Sequence, residues 1–446
     1  MMRLVLADIR MQVRMWSWGL LAAAVGAACS AGSVIAMFTA MSAAGAVGDS
    51  DMVSASIALG GNIVFFTVLS TTGIVASIAG LTLTAQQREH ALWLILGIPR
   101  RRVRTILRVE LLALGLAAGI IAIPFALLAA NISLTQWATT GLNLHGATAT
   151  FEPWHAGAAV LSGTVPCILG GWGVTSRIAK MPEMRAFREA ANPAARLGVG
   201  RIVLAFCLFA GVVGMWIPGL LLDLDGGLPQ RTAFVFAGNL FLICLLLLMG
   251  PWVLTPLMRG WTSLVPARGV AWHLAVQACR TRAARSVTTI LPFALTMSFV
   301  GLFMVMGNVM PGSSAGIDDV LVVLGWVFVV AWVGGLAVIA LVGTERRRDS
   351  ALITVAGARP GMVSRSTMYE GVIYAGTAIV FGAITFAIAA VTISMAAKIS
   401  LAEMVPGIPW ATLGGLALVT LITPVLALAA QAYAASRSHL TRVLRS

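Results

Sequence analysis

QQREHALWLILGIPRRRVRTILRVE, residues 86–110, sets an apolar run of helical length between the charged pair Arg88-Glu89 and six residues that hold four arginines. The chain on either side is apolar for longer, over 57–84 and again over 107–133. Each of those runs can cross about 30 Å of hydrocarbon, for which roughly 20 residues suffice. The quoted stretch is therefore a charged turn between two membrane spans.

The same reading extends along the whole chain. Of 446 residues 59% are hydrophobic and only 10% charged, too few charges for a soluble surface over such a core. Ten spans are expected, at 17–42, 57–84, 107–133, 154–176, 202–222, 232–257, 287–310, 320–343, 369–394 and 408–433. Lipid offers backbone groups no hydrogen-bond partner, and the alternating pattern of a transmembrane barrel is absent, so the expected class is an all-α integral membrane protein. Arg3, Asp8, Arg10 and Arg14 precede an apolar run, 18–41, too long for a signal-peptide core, and this run is expected to stay as the first span.

Charge fixes the expected orientation. All but two of the 30 Lys and Arg residues, Arg231 and Lys398, fall in segments 1–16, 85–108, 177–201, 258–286, 344–368 and 434–446. By the positive-inside rule these segments, with both termini, are cytoplasmic. The net charge of +14 then reads as topology and contact with the lipid bilayer, not as a nucleic-acid partner. Cys29, Cys167, Cys207, Cys244 and Cys279 fall in spans or cytoplasmic segments and read as packing residues. No metal site is expected, since no Cys/His cluster has ligand spacing and His145 and His155 lie singly near the outer face.

A shift of 260 positions aligns REHALWLILGIPRRRV (88–103) with RDSALITVAGARPGMV (348–363). Arg88 meets Arg348, Glu89 meets Asp349, Leu92 meets Leu352 and Gly97 meets Gly357; further on, Glu110 meets Glu370. The lead-ins LADIRMQVR (6–14) and LAVQACRTR (274–282) also correspond, at another offset. The expected organisation is 4+2+4: a four-span repeat over 1–180, a connecting pair over 181–260, and a second, parallel four-span repeat over 261–446. The longest outer loop within the repeats, 134–153, is too short for a folded domain; its Trp137, Phe151 and Trp154 suit interface anchors.

In the first copy Leu92, Ile95 and Leu96 share a helical face, with Arg88 and Glu89 in the first turn. Gly97 is suited to ending that helix and Pro99 to starting another just after it. A short cytoplasmic helix, a sharp turn and a long helix with a basic start follow, and the second copy repeats the design less apolarly before Gly357 and Pro360. Lipid contact alone would ask for an apolar face but for neither the recurring acid nor the recurring glycine. Glu110 and Glu370 lack a cation one turn earlier and call for a partner on another helix, such as Arg14 or Arg282, for headgroup-level exposure, or for a proton. Asn62, Asn239 and Asn308 read as helix-to-helix bonds.

The pattern R-E-x-A-L-x-x-x-x-G, followed by a basic stretch and the helix Glu110 to Gly115, resembles the FtsX-like permease family of ABC transporters (MacB-type, type VII) over about 60–130 and 320–390. The resemblance implies that Arg88, Glu89, Leu92, Ile95, Leu96 and Gly97, with Arg348, Asp349, Leu352 and Gly357, meet a separate ATPase. Thr354 and Ala356 stand where the first copy has Leu94 and Leu96. Ten spans in a 4+2+4 order are similar to the bacitracin-export-type permeases, in which one chain serves two ATPase subunits. Here their large extracellular domain is replaced by a loop over only 311–319.

The implied function is a non-catalytic permease subunit in a bacterial plasma membrane. It would export, or extract from the membrane, a hydrophobic or amphipathic compound such as a peptide antibiotic or lipid, by mechanotransmission. The alternative is a regulatory module that relays ATPase motion to a membrane sensor kinase or an extracellular hydrolase. The chain is expected to bind no cofactor: its only lysines, Lys180 and Lys398, do not fit a P-loop, so ATP and Mg belong to the partner. An enzyme of its own is also not expected, for lack of an HExxH motif.

Overall fold

The computed structural model describes residues 13–86, 92–139, 142, 144, 146–178, 199–222, 227–266, 269–309, 317–355 and 360–436, with backbone alone over 13–15, 84–85, 177–178, 284, 317–319, 344–355, 360 and 434–436. It is all-α. The main helices are α1 (Val13–Val47), α2 (Ser50–Ala85), α3 (Arg100–Thr139), α4 (Pro153–Ile178), α5 (Val199–Leu221), α6 (Gly227–Leu248), α7 (Gly250–Leu264), α8 (Gly269–Thr281), α9 (Ala283–Val309), α10 (Ile317–Val355), α11 (Pro360–Ala397) and α12 (Trp410–Ser436). All of these except α7 and α8 are long and apolar enough to cross a membrane, ten in number, as the sequence led us to expect.

The helix ends depart from the apolar runs. α3 has 40 residues, roughly 60 Å at 1.5 Å per residue, and so extends well beyond the hydrocarbon. It runs from Arg100, seven residues before the apolar run begins, because backbone bonding continues through a polar helix end without interruption. The sixth span is shorter than expected and stops at Leu248. Gly250-Pro251 then opens α7, where the missing N–H of Pro251 costs nothing in the first turn. α8 follows, burying Trp272, Ala275, Val276 and Cys279 on one stripe, which makes the 274–282 lead-in an amphipathic helix.

The chain packs as two compact units. The first comprises Met1–Ala191 with Leu321–Leu341, so α1–α4 are joined by the middle of α10. Trp326 of α10 donates from Nε1 to Ser133 Oγ of α3 at 2.8 Å. Within this unit α3 and α4 meet backbone to backbone. A Cβ on Gly163 would lie 2.6 Å from the Gly115 carbonyl oxygen, and one on Gly119 would lie 2.6 Å from Val160 Cα. Gly115 and Gly119 form a G-x-x-x-G pair, the small-residue spacing that lets membrane helices approach closely.

At the end of α3 away from Arg100, the loop over 146–152 folds back onto these helices. Asn131 holds it in both directions: Ala149 N donates to Oδ1 at 2.9 Å and Nδ2 donates to the Ala149 carbonyl at 3.3 Å. Trp137, expected as an interface anchor, is fully buried with Ile35, Ile63 and Leu144; Phe151 and Trp154 are exposed.

The second unit comprises Asn192–Val320 and Val342–Ser446. Here α9, α11 and α12 pack around buried hydroxyls, with Thr385 Oγ1 donating to Ser298 Oγ at 3.0 Å. Asn239 of α6 donates to Thr392 Oγ1 of α11 at 2.9 Å, the helix-to-helix bond expected of it. Asn308 of α9 donates to the carbonyl of Met404, the last residue of the short helix Leu401–Met404, at 2.7 Å. Arg231, one of two cations assigned to the outer side, is buried and donates to the Gly219 and Leu220 carbonyls, both at 3.3 Å. It therefore caps the C-terminus of α5, where the orphan carbonyls and the helix dipole both favour a cation.

The α3–α4 contact gives a direct test. Gly163→Ala should lower stability by about 1–3 kcal/mol through overpacking, read as a lower thermal midpoint in detergent. Gly157→Ala, on the same helix with open space at its Cβ, should leave the midpoint unchanged or raise it.

Candidate ATPase-coupling surface

α2 ends at Ala85 and Gln86 makes the next turn. Arg88 and Glu89 lie outside the described residues. The chain resumes as a helical turn over 92–95 and closes with three backbone bonds: Leu96 N to Leu92 O at 2.9 Å, Gly97 N to Leu94 O at 3.1 Å and Ile98 N to Trp93 O at 3.0 Å. The last two form a Schellman motif, which needs a left-handed residue at Gly97, and Gly97 has φ +86°. Pro99 follows; its carbonyl accepts from Arg102 N at 2.8 Å and Val103 N at 3.3 Å and thus starts α3.

The turn has two faces. Trp93, Leu94 and Ile98 pack on Leu83, Val103 and Leu107, with Val174 of α4 beside them. That contact fixes the turn to the bases of α2, α3 and α4. Leu92, Ile95 and Leu96 point the other way and are 50%, 60% and 78% exposed. Three large apolar side chains on one anchored turn form a patch that a partner can cover. The i, i+3, i+4 spacing marks this outer face in the sequence. The inner face occupies the intervening positions, and its anchoring role emerges only with the packing of α2, α3 and α4.

In the second copy the backbone is built differently. α10 continues through the membrane to Val355 without a break, so Arg348, Asp349 and Leu352 sit on its last turns and not on a separate short helix. Neither 344–355 nor the aligned 84–95 contains a glycine or proline, so the two copies differ without a local breaker in either. Gly357 lies outside the described residues, and α11 starts at Pro360.

The two acids differ in setting. Glu110 is 2% exposed, on the side of α3 that buries Ile106, Leu107 and Leu111. Glu370 is half-buried and accepts from Tyr374 Oη at 3.5 Å. Of the arginines proposed to reach them, the Arg14 side chain is outside the described residues and Arg282 lies in the exposed turn between α8 and α9. A GxSxG string occurs at Gly312–Gly316, outside the described residues; it follows helix α9, whereas a nucleophile elbow follows a strand.

An all-α chain with ten candidate spans and an anchored apolar turn between the second and third has the form of a multi-pass membrane protein with an exposed apolar patch on that turn. Residues 61–182 match the family described as FtsX-like permease C-terminal. The matched segment begins within α2, includes the exposed turn, and runs through α3 and α4; it is just over a quarter of the chain. That segment is thus similar to the FtsX-like permease domain. This family points to a permease subunit of an ABC-type transporter, generally non-catalytic, working with an ABC ATPase. No curated protein matches the chain.

The Schellman turn can be checked by itself. Gly97→Val should cost about 1–2 kcal/mol at a left-handed position and speed hydrogen exchange at the amides of residues 97 and 98. Gly97→Asn, a residue that tolerates this conformation, should leave exchange near the native rate.

Proposed function

We propose that this protein is the permease subunit of a transporter in a bacterial plasma membrane, and that Leu92, Ile95 and Leu96 dock into a separate ATPase. The observation that carries this reading is the two-faced turn, anchored inward by Trp93, Leu94 and Ile98 and exposed outward. Arg88 and Glu89 flank it in sequence. Arg348, Asp349, Leu352 and Gly357 form the second contact, so one chain takes two ATPase subunits. ATP and Mg are held by those subunits, and the basic segments and both termini face the cytoplasm with them.

Force applied at the turn passes through Pro99 directly into α3, a single helix of 40 residues. A helix of that length transmits a displacement at one end to the other, which supports mechanotransmission as the mode of coupling. The cargo is a hydrophobic or amphipathic compound, a peptide antibiotic or lipid, moved outward or lifted from the membrane. This class suits a chain whose described outer loops are short and fold back on their own helices. The repeats at 1–180 and 261–446, joined by the pair at 181–260, supply the two arms.

A second reading, relay to a membrane sensor kinase, is favoured by α5. This helix packs chiefly on α6 and leaves Phe206, Phe209 and Ile217 facing outward, where another protein's span could lie.

Co-expression with the candidate ATPase tests the docking surface. Leu96→Asp combined with Ile95→Asp should reduce co-purified ATPase about tenfold or more, as loss of central anchors does at protein interfaces. Unchanged recovery of ATPase with a normally folded variant would refute the assignment.

A further inference from the structure

Eight residues into α3, Arg108 turns away from the coupling turn and onto α4. Its guanidinium carbon stands 3.8 Å from the centroid of the Trp172 ring. One turn further along α4, Ser176 Oγ accepts from Arg108 Nη2 at 3.4 Å, a long bond between residues 68 positions apart. Trp172 is 56% exposed, so the stacked pair lies at the surface of the helix bundle and not in its core.

Arg101 and Arg104 precede Arg108 on the same face of α3, the first exposed and the second half-buried. Arg108 makes no ion pair with any described residue. Glu110, the acid nearest in sequence, faces the buried side of α3, and Glu152 lies before the other end of α4. The surface is therefore strongly cationic with no acid among the described residues to neutralise it.

An arginine keeps its charge and offers five N–H donors. The Trp172 ring covers one face of the guanidinium and the long bond to Ser176 engages one edge, which leaves donors for an anionic acceptor. Depth limits what that acceptor can be. Trp172 and Ser176 occupy the last turns of α4's candidate span, and the apolar run of α3 begins at 107, so the pair stands at headgroup level. Beyond it toward the membrane centre, Leu112 on α3 and Leu169 on α4 are exposed, one turn from Arg108 and Trp172 respectively. A cationic head over two exposed apolar side chains matches a phosphate with an acyl chain below it.

We propose that Arg108, stacked on Trp172 and supported by Arg101 and Arg104, binds the phosphate of an anionic phospholipid. The leaflet, the cytoplasmic one, rests on the orientation given under Proposed function; the binding does not. At offset 260 the second repeat has Met368 in place of Arg108, so the site belongs to the first repeat alone.

The test uses the full chain, without ATPase, reconstituted with equal phosphatidylglycerol and phosphatidylcholine, and reads the lipids retained on purification by native mass spectrometry. The native protein should retain phosphatidylglycerol preferentially, and Arg108→Gln should cut that preference about fivefold, the effect of one arginine at an anionic surface. Trp172→Leu should also reduce it, and it carries the test if Arg108→Gln does not fold. An unchanged lipid ratio in the folded variants would overturn the proposal. So would displacement of the lipid by excess inorganic phosphate, which would make the ligand a soluble anion. Lipid retention and ATPase recovery are separate readouts, so this site and the docking surface can each fail alone.

Discussion

Contact between α3 and α4 through Gly115, Gly119 and Gly163 is the interaction on which the rest of the first unit depends. In hydrocarbon, helices gain nothing from hiding apolar side chains from one another, because lipid tails are equally apolar. What remains is close van der Waals fit, and glycine permits the closest. A Cβ at Gly163 would stand 2.8 Å from Gly119 N, nearer than real contacts allow. This fit sets the distance between the two helices along their length. It thereby decides that Val174 reaches the 92–98 turn, that Trp172 lies under Arg108, and that the 146–152 loop closes over the end of α3.

Polar groups in the membrane follow the same economy of partners. Ser33, Thr71, Thr164 and Thr262 return their hydroxyls to the carbonyl four residues back, so they present an apolar surface to their neighbours. Longer polar side chains join elements instead: Asn239 to Thr392, Trp261 to Thr377, Trp326 to Ser133. Arg231 shows why a cation can sit on the side that charge statistics leave nearly bare. Its charge answers helix carbonyls, and the rule of orientation counts residues without asking what each one bonds.

The number and class of spans are plain in the sequence because an uncharged apolar run of roughly 20 residues matches the thickness of hydrocarbon and exceeds what a soluble core helix buries. The turn over 92–99 is equally plain, since Gly97 and Pro99 act through local backbone chemistry that needs no tertiary context. Helix ends are less legible. A helix such as α3 continues past the hydrocarbon into its arginines, and α6 stops early at a Gly-Pro pair inside an apolar run. Trp137 defeats the sequence reading because an aromatic near an interface looks the same whether it faces lipid or core. The stacking of Arg108 on Trp172 has no local signature at all, since it joins residues brought together only by the glycine contact of their helices. In the second copy, the uninterrupted run to Val355 replaces an expected short helix, and since neither 344–355 nor the aligned 84–95 holds a glycine or proline, the local sequence does not mark the difference.

The central claim is that the outer face of the turn at Leu92, Ile95 and Leu96 meets an ATPase. A photo-reactive residue placed at Leu96 in intact membranes containing the partner tests it most directly. The account predicts a covalent adduct between the permease and the ATPase, and none from the same residue placed at Ile120, which is exposed in the middle of α3. An adduct at Ile120 but not at Leu96, or labelling at Leu96 by lipid alone, would contradict it.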